Sequence, residues 1–411
     1  MRSLVGADRH IVAIDVGTTK ICVLIAQYVG SELVDIIGIG KAPSEGLAKG
    51  VVVDIAKTVQ SIKTAVREAE LMSGISIESA YVGIAGSHIH AYNSHGVVPI
   101  KRGEITDADI ANVIDSAKAI ALPEGQQILH VLPQFFIIDG TDKIQTPRGM
   151  HGIRLEAQVH VITGSVASVQ NLIKCCELAG VKVADVVLEQ LASAEAVLSD
   201  DERQLGVGML DIGGGTSDFA LYNNGAIKHT YVLPVAGNRI TADVAVCLKT
   251  TLADAERIKK EYGHAAVSQI VEDSGVTIQR VEGVNTQQVQ LSHIMRIIEP
   301  RVRELLTLVH DNLVENQVAG MMPTGLVITG GGSMLRGIDQ LAQEIFNLPV
   351  RCASPRTSRE LSTLIDHPMY ATGYGLLRFA LKKMDTNNGQ MSSGFSGRIM
   401  SRMKSWVADF F

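Results

Sequence analysis

The sequence predicts an α/β protein: two lobes around a ligand cleft, a small α+β unit inserted into the first lobe, and an amphipathic helix at the C-terminus. Three observations carry this. A strand–turn–strand run at 11–25, with the turn Asp15-Val-Gly17-Thr18-Thr19-Lys20, returns at 210–222 as Asp211-Ile-Gly213-Gly214-Gly215-Thr216. A third glycine turn, Gly330-Gly331-Gly332-Ser333, ends a buried-type strand. At the far end of the chain, residues 397–411 gather their large apolar side chains on one side of a helix.

The two hairpins come first. In each, an aspartate ends the first strand, glycines let the backbone approach an anion closely, and threonine hydroxyls follow as donors. Two such turns facing each other would grip a polyphosphate from both sides. Asp15 and Asp211 would hold a hydrated Mg²⁺, which keeps several waters and takes one or two carboxylates. Lys20 sits where it can reach a phosphate or stay solvated. Dinucleotide and Walker turns are excluded, because those place a helix directly after the glycines. Here a β-rich run follows each turn. One such hairpin is a common turn, but two in the same order of elements point to a duplicated domain with its ligand between the halves. After the third turn a helix does follow, with Ile338, Leu341 and Ile345 at helical spacing, and its glycines let a flat base or ribose lie against the backbone.

Between the first hairpin and the second lies the inserted unit. Residues 86–96 alternate like a strand, which would put His88 and His90 on one face and His95 on the other. That split favours surface or packing histidines over a metal cluster. Thr106 is a helix cap, followed by an apolar face of Ile110, Val113, Ile114, Ala117 and Ala121. Strand-like runs follow at 127–132, 135–138 and 157–162.

Bulk properties narrow the function. The 411 residues allow two to four domains, 46% apolar against 19% charged is ordinary globular material, and 39 glycines imply many tight turns. A net charge of −6 argues against nucleic acid as a partner. The five cysteines lack paired spacing and read as reduced thiols of the cytoplasm, with the adjacent Cys175 and Cys176 in the core. No run is apolar enough to span a membrane, and residues 11–14 are too short for a signal peptide.

The order of the three glycine turns resembles the phosphate 1, phosphate 2 and adenosine motifs of the actin, heat-shock chaperone and sugar-kinase ATPase superfamily. Residues 188–197 and 370–377 resemble its two linking helices, and 255–263 its nucleoside clamp. The resemblance implies ATP and Mg²⁺ as cofactors. It carries Gly237, Asn238, Glu256 and Lys259 into the nucleotide set, and Glu189 as the carboxylate that orients an attacking water. Where the pattern usually continues with Pro, this chain has Gln190. Within the superfamily the inserted unit and the C-terminal helix resemble the FtsA family of bacterial cell-division proteins. That implies subdomain 1A at 1–84, 165–195 and 370–384; 1C at 85–164; 2A at 196–223 and 301–369; and 2B at 224–300. It also implies self-association into filaments, contact with other division proteins through 1C, and the C-terminal tail of the tubulin-like FtsZ docking on 2B. Whether ATP is hydrolysed is left open. The alternatives are an actin-like pilus-assembly ATPase and a small-molecule kinase of the same superfamily.

The tail is the last element. A polar stretch at 385–396 reads as a flexible linker. Beyond it Ile399, Met400, Met403, Trp406, Val407, Phe410 and Phe411 form the apolar stripe, with Arg398, Arg402 and Lys404 beside it. A fifteen-residue helix reaches only ~22 Å, against a hydrocarbon core of ~30 Å, so it would lie on a bilayer rather than cross it, the alternative being a groove on a partner protein. Each apolar side chain gains at most ~1.5–3 kcal/mol on full burial, while ordering costs ~1–2 kcal/mol per residue. These nearly cancel. One tail would therefore bind anionic phospholipid marginally, and a filament of tails firmly. The expected location is the cytoplasmic face of the bacterial inner membrane, at the division septum.

Overall fold

The computed structural model describes residues 10–29, 32–141, 143–269, 273–279, 286–357 and 364–391. The proposed membrane helix at 397–411, with Arg398, Ile399, Met400, Arg402, Met403, Lys404, Trp406, Val407, Phe410 and Phe411, lies outside the described residues.

The first lobe opens with an antiparallel meander, β1 (His10–Val16), β2 (Lys20–Val29) and β3 (Glu32–Pro43). A minor hairpin, β4 (Leu47–Ala48) and β5 (Val51–Val52), leads into helix α1 (Ile55–Ser73), capped by Asp54 accepting from the Lys57 amide. Strand β6 (Ser79–Ile84) then runs parallel to β1. The inserted unit follows as β7 (His90–Pro99), α2 (Asp107–Lys118), β8 (Gln126–Ile138) and β9 (Arg154–Ser165), with sheet order β7-β9-β8. Its core is its own, built from Ile105, Val113, Phe136, Leu155 and Val159. Helix α3 (Val166–Leu178) returns to the lobe, and β10 (Lys182–Leu188) completes the sheet β10-β6-β1-β2-β3.

Helices α4 (Glu189–Val197) and α5 (Asp200–Leu205) lead into the second lobe. There β11 (Val207–Ile212), β12 (Ser217–Asn223) and β13 (Ala226–Leu233) repeat the meander. After α6 (Gly237–Leu248), α7 (Leu252–Tyr262), the hairpin β14 (Gly275–Gln279) and β15 (Thr286–Gln290), and α8 (Leu291–Glu315), strand β16 (Leu326–Thr329) runs parallel to β11. Helix α9 (Ile338–Phe346) and β17 (Val350–Cys352) follow, and α10 (Ala371–Met391) ends the described chain. The second sheet, β13-β12-β11-β16-β17, has the order of the first: a meander, then two parallel strands on the far side of its opening strand. The duplication expected from the hairpins is a duplication of whole sheets.

The inner strands β1, β2, β11 and β12 bury both faces, which explains their near-continuous apolar sequences. Alternate residues of β1 and β2 (Val12, Ile14, Val23, Ile25) pack on α1 and α3, and the others (Ile11, Ala13, Cys22, Leu24) pack on α4 and α10. Met209, Ala220 and Val327 of the second sheet share that second cluster. On the outer face of the second sheet Leu210, Ile212 and Leu221 meet α6, α8 and α9. The molecule is thus layered, with α4 and α10 as the filling between two sheets.

Several expectations change in detail. His88 lies in a turn before β7 rather than on a strand face, because Gly86 at φ 132° breaks the strand there. His95 instead bonds Glu156 at 2.9 Å. The two strand-like runs at 127–138 form one strand, β8, with register shifts near His130 and Pro133 where a proline is tolerated. Thr106 makes its capping box with Asp109, but α2 stops at Lys118, short of Ala121. Cys175 and Cys176 are both fully buried, and burial pushes the Cys176 thiol up to about 12. Residues 385–391, expected to begin the linker, continue α10. A helix nucleated by buried turns propagates cheaply through polar residues.

Candidate functional site

The two meander turns face each other across the cleft. Asp15 is the penultimate residue of β1 and is buried; Lys20 begins β2 and places its ammonium 2.9 Å from Asp15 Oδ2. The Gly50 amide donates to Thr18 Oγ1 at 3.1 Å. In the second lobe Asp211 occupies the equivalent place in β11 and is also buried. Its turn is held closed by Gly213 N donating to Thr216 O at 2.9 Å. The start of α6 braces it, with Gly237 N on Gly213 O at 3.1 Å and Asn238 N on Gly214 O at 2.8 Å. Across the gap, a Cβ on Gly214 would lie 2.4 Å from Thr19 Cγ2, and one on Gly215 2.4 Å from Thr18 Oγ1. Only glycine fits against those threonines. The third turn closes on the same point, for a Cβ on Gly330 would fall 2.1 Å from Asp211 Oδ1. Gly331 and Gly332 follow it in a short 3-10 turn, and Ser333 Oγ donates to Gly330 O at 2.8 Å.

The nucleoside-clamp residues are also brought together. Lys259 Nζ lies 2.6 Å from Glu256 Oε2, 2.9 Å from Thr241 Oγ1 and 3.2 Å from Gly237 O. Thr241 also donates to Glu256. Burial opposes the Glu256 charge, but Lys259 and Thr241 outweigh it and lower its pKa. His264, just past α7, pairs with Arg336 beyond the third turn, tying this helix to that turn.

Glu189 opens α4 half-buried, beside Gly83 at the end of β6. Desolvation, then Asp15, Asp218 and Asp211, push its carboxyl well above the ordinary range. Asp218 is buried, accepts from Thr216 Oγ1 at 2.9 Å through Oδ2, and leaves Oδ1 without a partner. Burial and the neighbouring Asp211 push it up to about 8. Asp211 is likewise raised by burial and by Asp15, against the hydroxyls of Ser193 and Thr372. Burial works against the Lys20 charge, but Asp15 prevails and Lys20 ends above the ordinary lysine range.

Four carboxyl groups thus share the cleft with one lysine, and those of Glu189, Asp211 and Asp218 are raised, by burial first and by neighbouring carboxylates as well. A divalent cation fits that environment. Among the described residues no three acidic, histidine or cysteine side chains converge into a direct cage. A hydrated Mg²⁺ needs only one or two carboxylates, and Asp15 and Asp211 are the two that could supply them. Bound there, the ion would neutralise phosphate charge.

Asp218, Ser193, Thr372 and Thr241 were missed by the sequence reading. Asp218 had a signal: two residues beyond Thr216 in a strand, it lies on the same face. The other three are hydroxyls on helices, with nothing local to mark them.

Two sheets of equal order, paired helices between them and three glycine turns at one cleft define the actin-like ATPase fold. Solved structures agree. The chain is similar to the PilM-PilN type IV pilus biogenesis complex (TM-score 0.65, 16% identity, 91% of this chain and 99% of that one). It is also similar to MreB 5 of Spiroplasma citri bound to AMPPNP (TM-score 0.57, 16% identity, 93% and 100%). In sequence, the profile of cell division protein FtsA matches residues 208–375, and that of the SHS2 domain inserted in FtsA matches 86–163. The chain is 41% identical to the cell division protein FtsA of Pseudomonas aeruginosa, over 99% of each. It is 35% identical to that of Escherichia coli, over 98% of each. It belongs to the FtsA family, and its role is in cell division.

Proposed function

We propose that the chain binds ATP with Mg²⁺ between its lobes, assembles with copies of itself on the cytoplasmic face of the inner membrane at the septum, and tethers FtsZ filaments there. The observation that carries the nucleotide part is the contact of the two hairpins, with Asp15 and Asp211 at matched positions behind them. Asp15, Gly17, Thr18, Thr19 and Lys20 would take one side of the phosphates. Asp211, Gly213, Gly214, Gly215 and Thr216 would take the other. Gly237, Asn238, Glu256, Lys259, Gly330, Gly331, Gly332 and Ser333 would receive the nucleoside. Glu189 would orient a water if ATP is hydrolysed, and hydrolysis would be slow or absent. The γ-phosphate would bridge the lobes and set their angle. The FtsZ tail is assigned to subdomain 2B, and later division proteins to the inserted unit.

Membrane attachment rests on residues 397–411. No helix among the described residues is long and apolar enough to cross a membrane, which leaves attachment to the amphipathic tail. The test is co-sedimentation of the purified chain with anionic vesicles, with and without Mg²⁺-ATP and with and without residues 397–411. Vesicle binding that rises with Mg²⁺-ATP and is lost with the tail supports the reading. Binding indifferent to both refutes it.

A further inference from the structure

The chain passes between lobes twice, through α4 and α10. Helix α4 follows β10 of the first sheet and leads to β11 of the second. Helix α10 follows β17 and packs back on β1, β2 and β6. The two helices cross in direct backbone contact, for a Cβ on Gly375 would sit 1.7 Å from the Ala192 carbonyl oxygen. One residue along α4 from that contact is Ser193, and one turn back along α10 is Thr372. Both hydroxyls are buried in an otherwise apolar layer.

These hydroxyls bond outside their own helices. Ser193 Oγ lies 2.5 Å from Asp211 Oδ2, Thr372 Oγ1 lies 3.2 Å from the same oxygen, and the two hydroxyls are 3.1 Å apart. Each carries one proton, so either both donate to Asp211, or one donates to the other, which in turn donates to Asp211. In both arrangements Oδ2 is engaged from the crossing, while Oδ1 points toward Gly330 and the third turn. The carboxylate that ends β11 therefore has its rotation fixed by one side chain from each connecting helix.

We propose that Ser193 and Thr372 are positioning residues for Asp211. They would hold its second oxygen toward the hydrated Mg²⁺ of the nucleotide, and they tie that carboxylate to the crossing of the two connecting helices. This inference rests on the nucleotide reading above. The competing role is purely structural: buried hydroxyls satisfying a buried acid. The two roles separate by measurement. A structural role alters stability but leaves the Mg²⁺ dependence of nucleotide binding as it was. A positioning role lowers that dependence, because groups that orient a metal-binding side chain commonly govern metal affinity by about 10-fold or more.

The experiment uses the full chain and a fluorescent ATP analogue, titrated in Mg²⁺ and in EDTA, with the thermal midpoint of each variant recorded without nucleotide. Ser193→Ala and Thr372→Val should each cut the ratio of the two affinities by about 10-fold, and Thr372→Ser, which keeps the hydroxyl, should restore most of it. Because the two side chains share one carboxylate oxygen, the double variant should lose less than the product of the single losses. A wild-type ratio in both single variants overturns the inference and leaves the nucleotide site standing. So does an equal loss in Thr372→Ser and Thr372→Val. Failure of the unsubstituted chain to bind the analogue at all overturns the nucleotide reading and this inference with it.

Discussion

The two phosphate-type hairpins occupy equivalent places in two sheets of the same order, yet their aspartates keep different company. Asp15 faces a lysine from its own turn at 2.9 Å. Asp211 faces two hydroxyls, from two helices distant in sequence. Lys20 supplies a full positive charge to the first carboxylate, and a hydroxyl supplies only a dipole to the second. Duplication fixed the scaffold while the partners diverged, so negative charge is balanced on one side of the cleft and left over on the other. A metal ion should therefore lean on Asp211 more heavily than on Asp15.

The substitution Asp211→Asn would break this asymmetry most severely. It should weaken ATP binding in Mg²⁺ by roughly 100-fold, about 2.7 kcal/mol, and leave binding in EDTA unchanged or tighter. Isothermal titration in the two buffers checks this, and an equal loss in both would show that Asp211 does not act through a cation. Lys20→Met should cost less, about tenfold or 1.4 kcal/mol, because removing a cation beside the phosphates weakens binding whether or not Mg²⁺ is present. Loss confined to the Mg²⁺ buffer would mean that Lys20 works only by positioning Asp15.

The same contrast bears on how much was legible in the chain. The Asp15–Lys20 pair lies within one turn, and the three glycine turns, the Thr106 cap and the duplicated order are all local or periodic patterns. The Asp211 partners are not: Ser193 and Thr372 reach it only because α4 and α10 cross between the sheets, a packing event that leaves no spacing signature. The histidines taught the opposite lesson. Alternation placed His88 on a strand face, and a single glycine with φ 132° at Gly86 cancelled it. The break expected inside 127–138 was likewise absorbed as irregularity within one strand, because β9 offers pairing along the whole length of β8.

A third test uses pH. The Asp218 pKa rises to about 8 through burial, then the nearby Asp211, against an unfolded value of about 3.9. Between these values the folded state holds more protons than the unfolded one, so stability must fall as pH rises across that window. The nucleotide-free chain should melt at a lower temperature at pH 8 than at pH 6, and Asp218→Asn should flatten that difference. A slope unchanged in Asp218→Asn would assign the titration to other carboxyls of the cluster.

Glu189→Gln should have the smallest effect on binding. Desolvation, then Asp15, Asp218 and Asp211, push the pKa of this carboxyl well above the ordinary range and so favour its neutral form, and a neutral carboxyl and a neutral amide differ little in charge or size. ATP affinity should therefore stay within about twofold, under 0.5 kcal/mol. Any hydrolysis should behave differently. Only the ionised carboxylate can accept a proton from water, and a cation in the cleft would favour that form. If it then orients the attacking water, Glu189→Gln should abolish phosphate release measured in Mg²⁺ while leaving that affinity intact. A variant that releases phosphate at the original rate would remove Glu189 from the chemistry. Lys20 and Asp211 would remain the two unlike halves of a site built for binding alone.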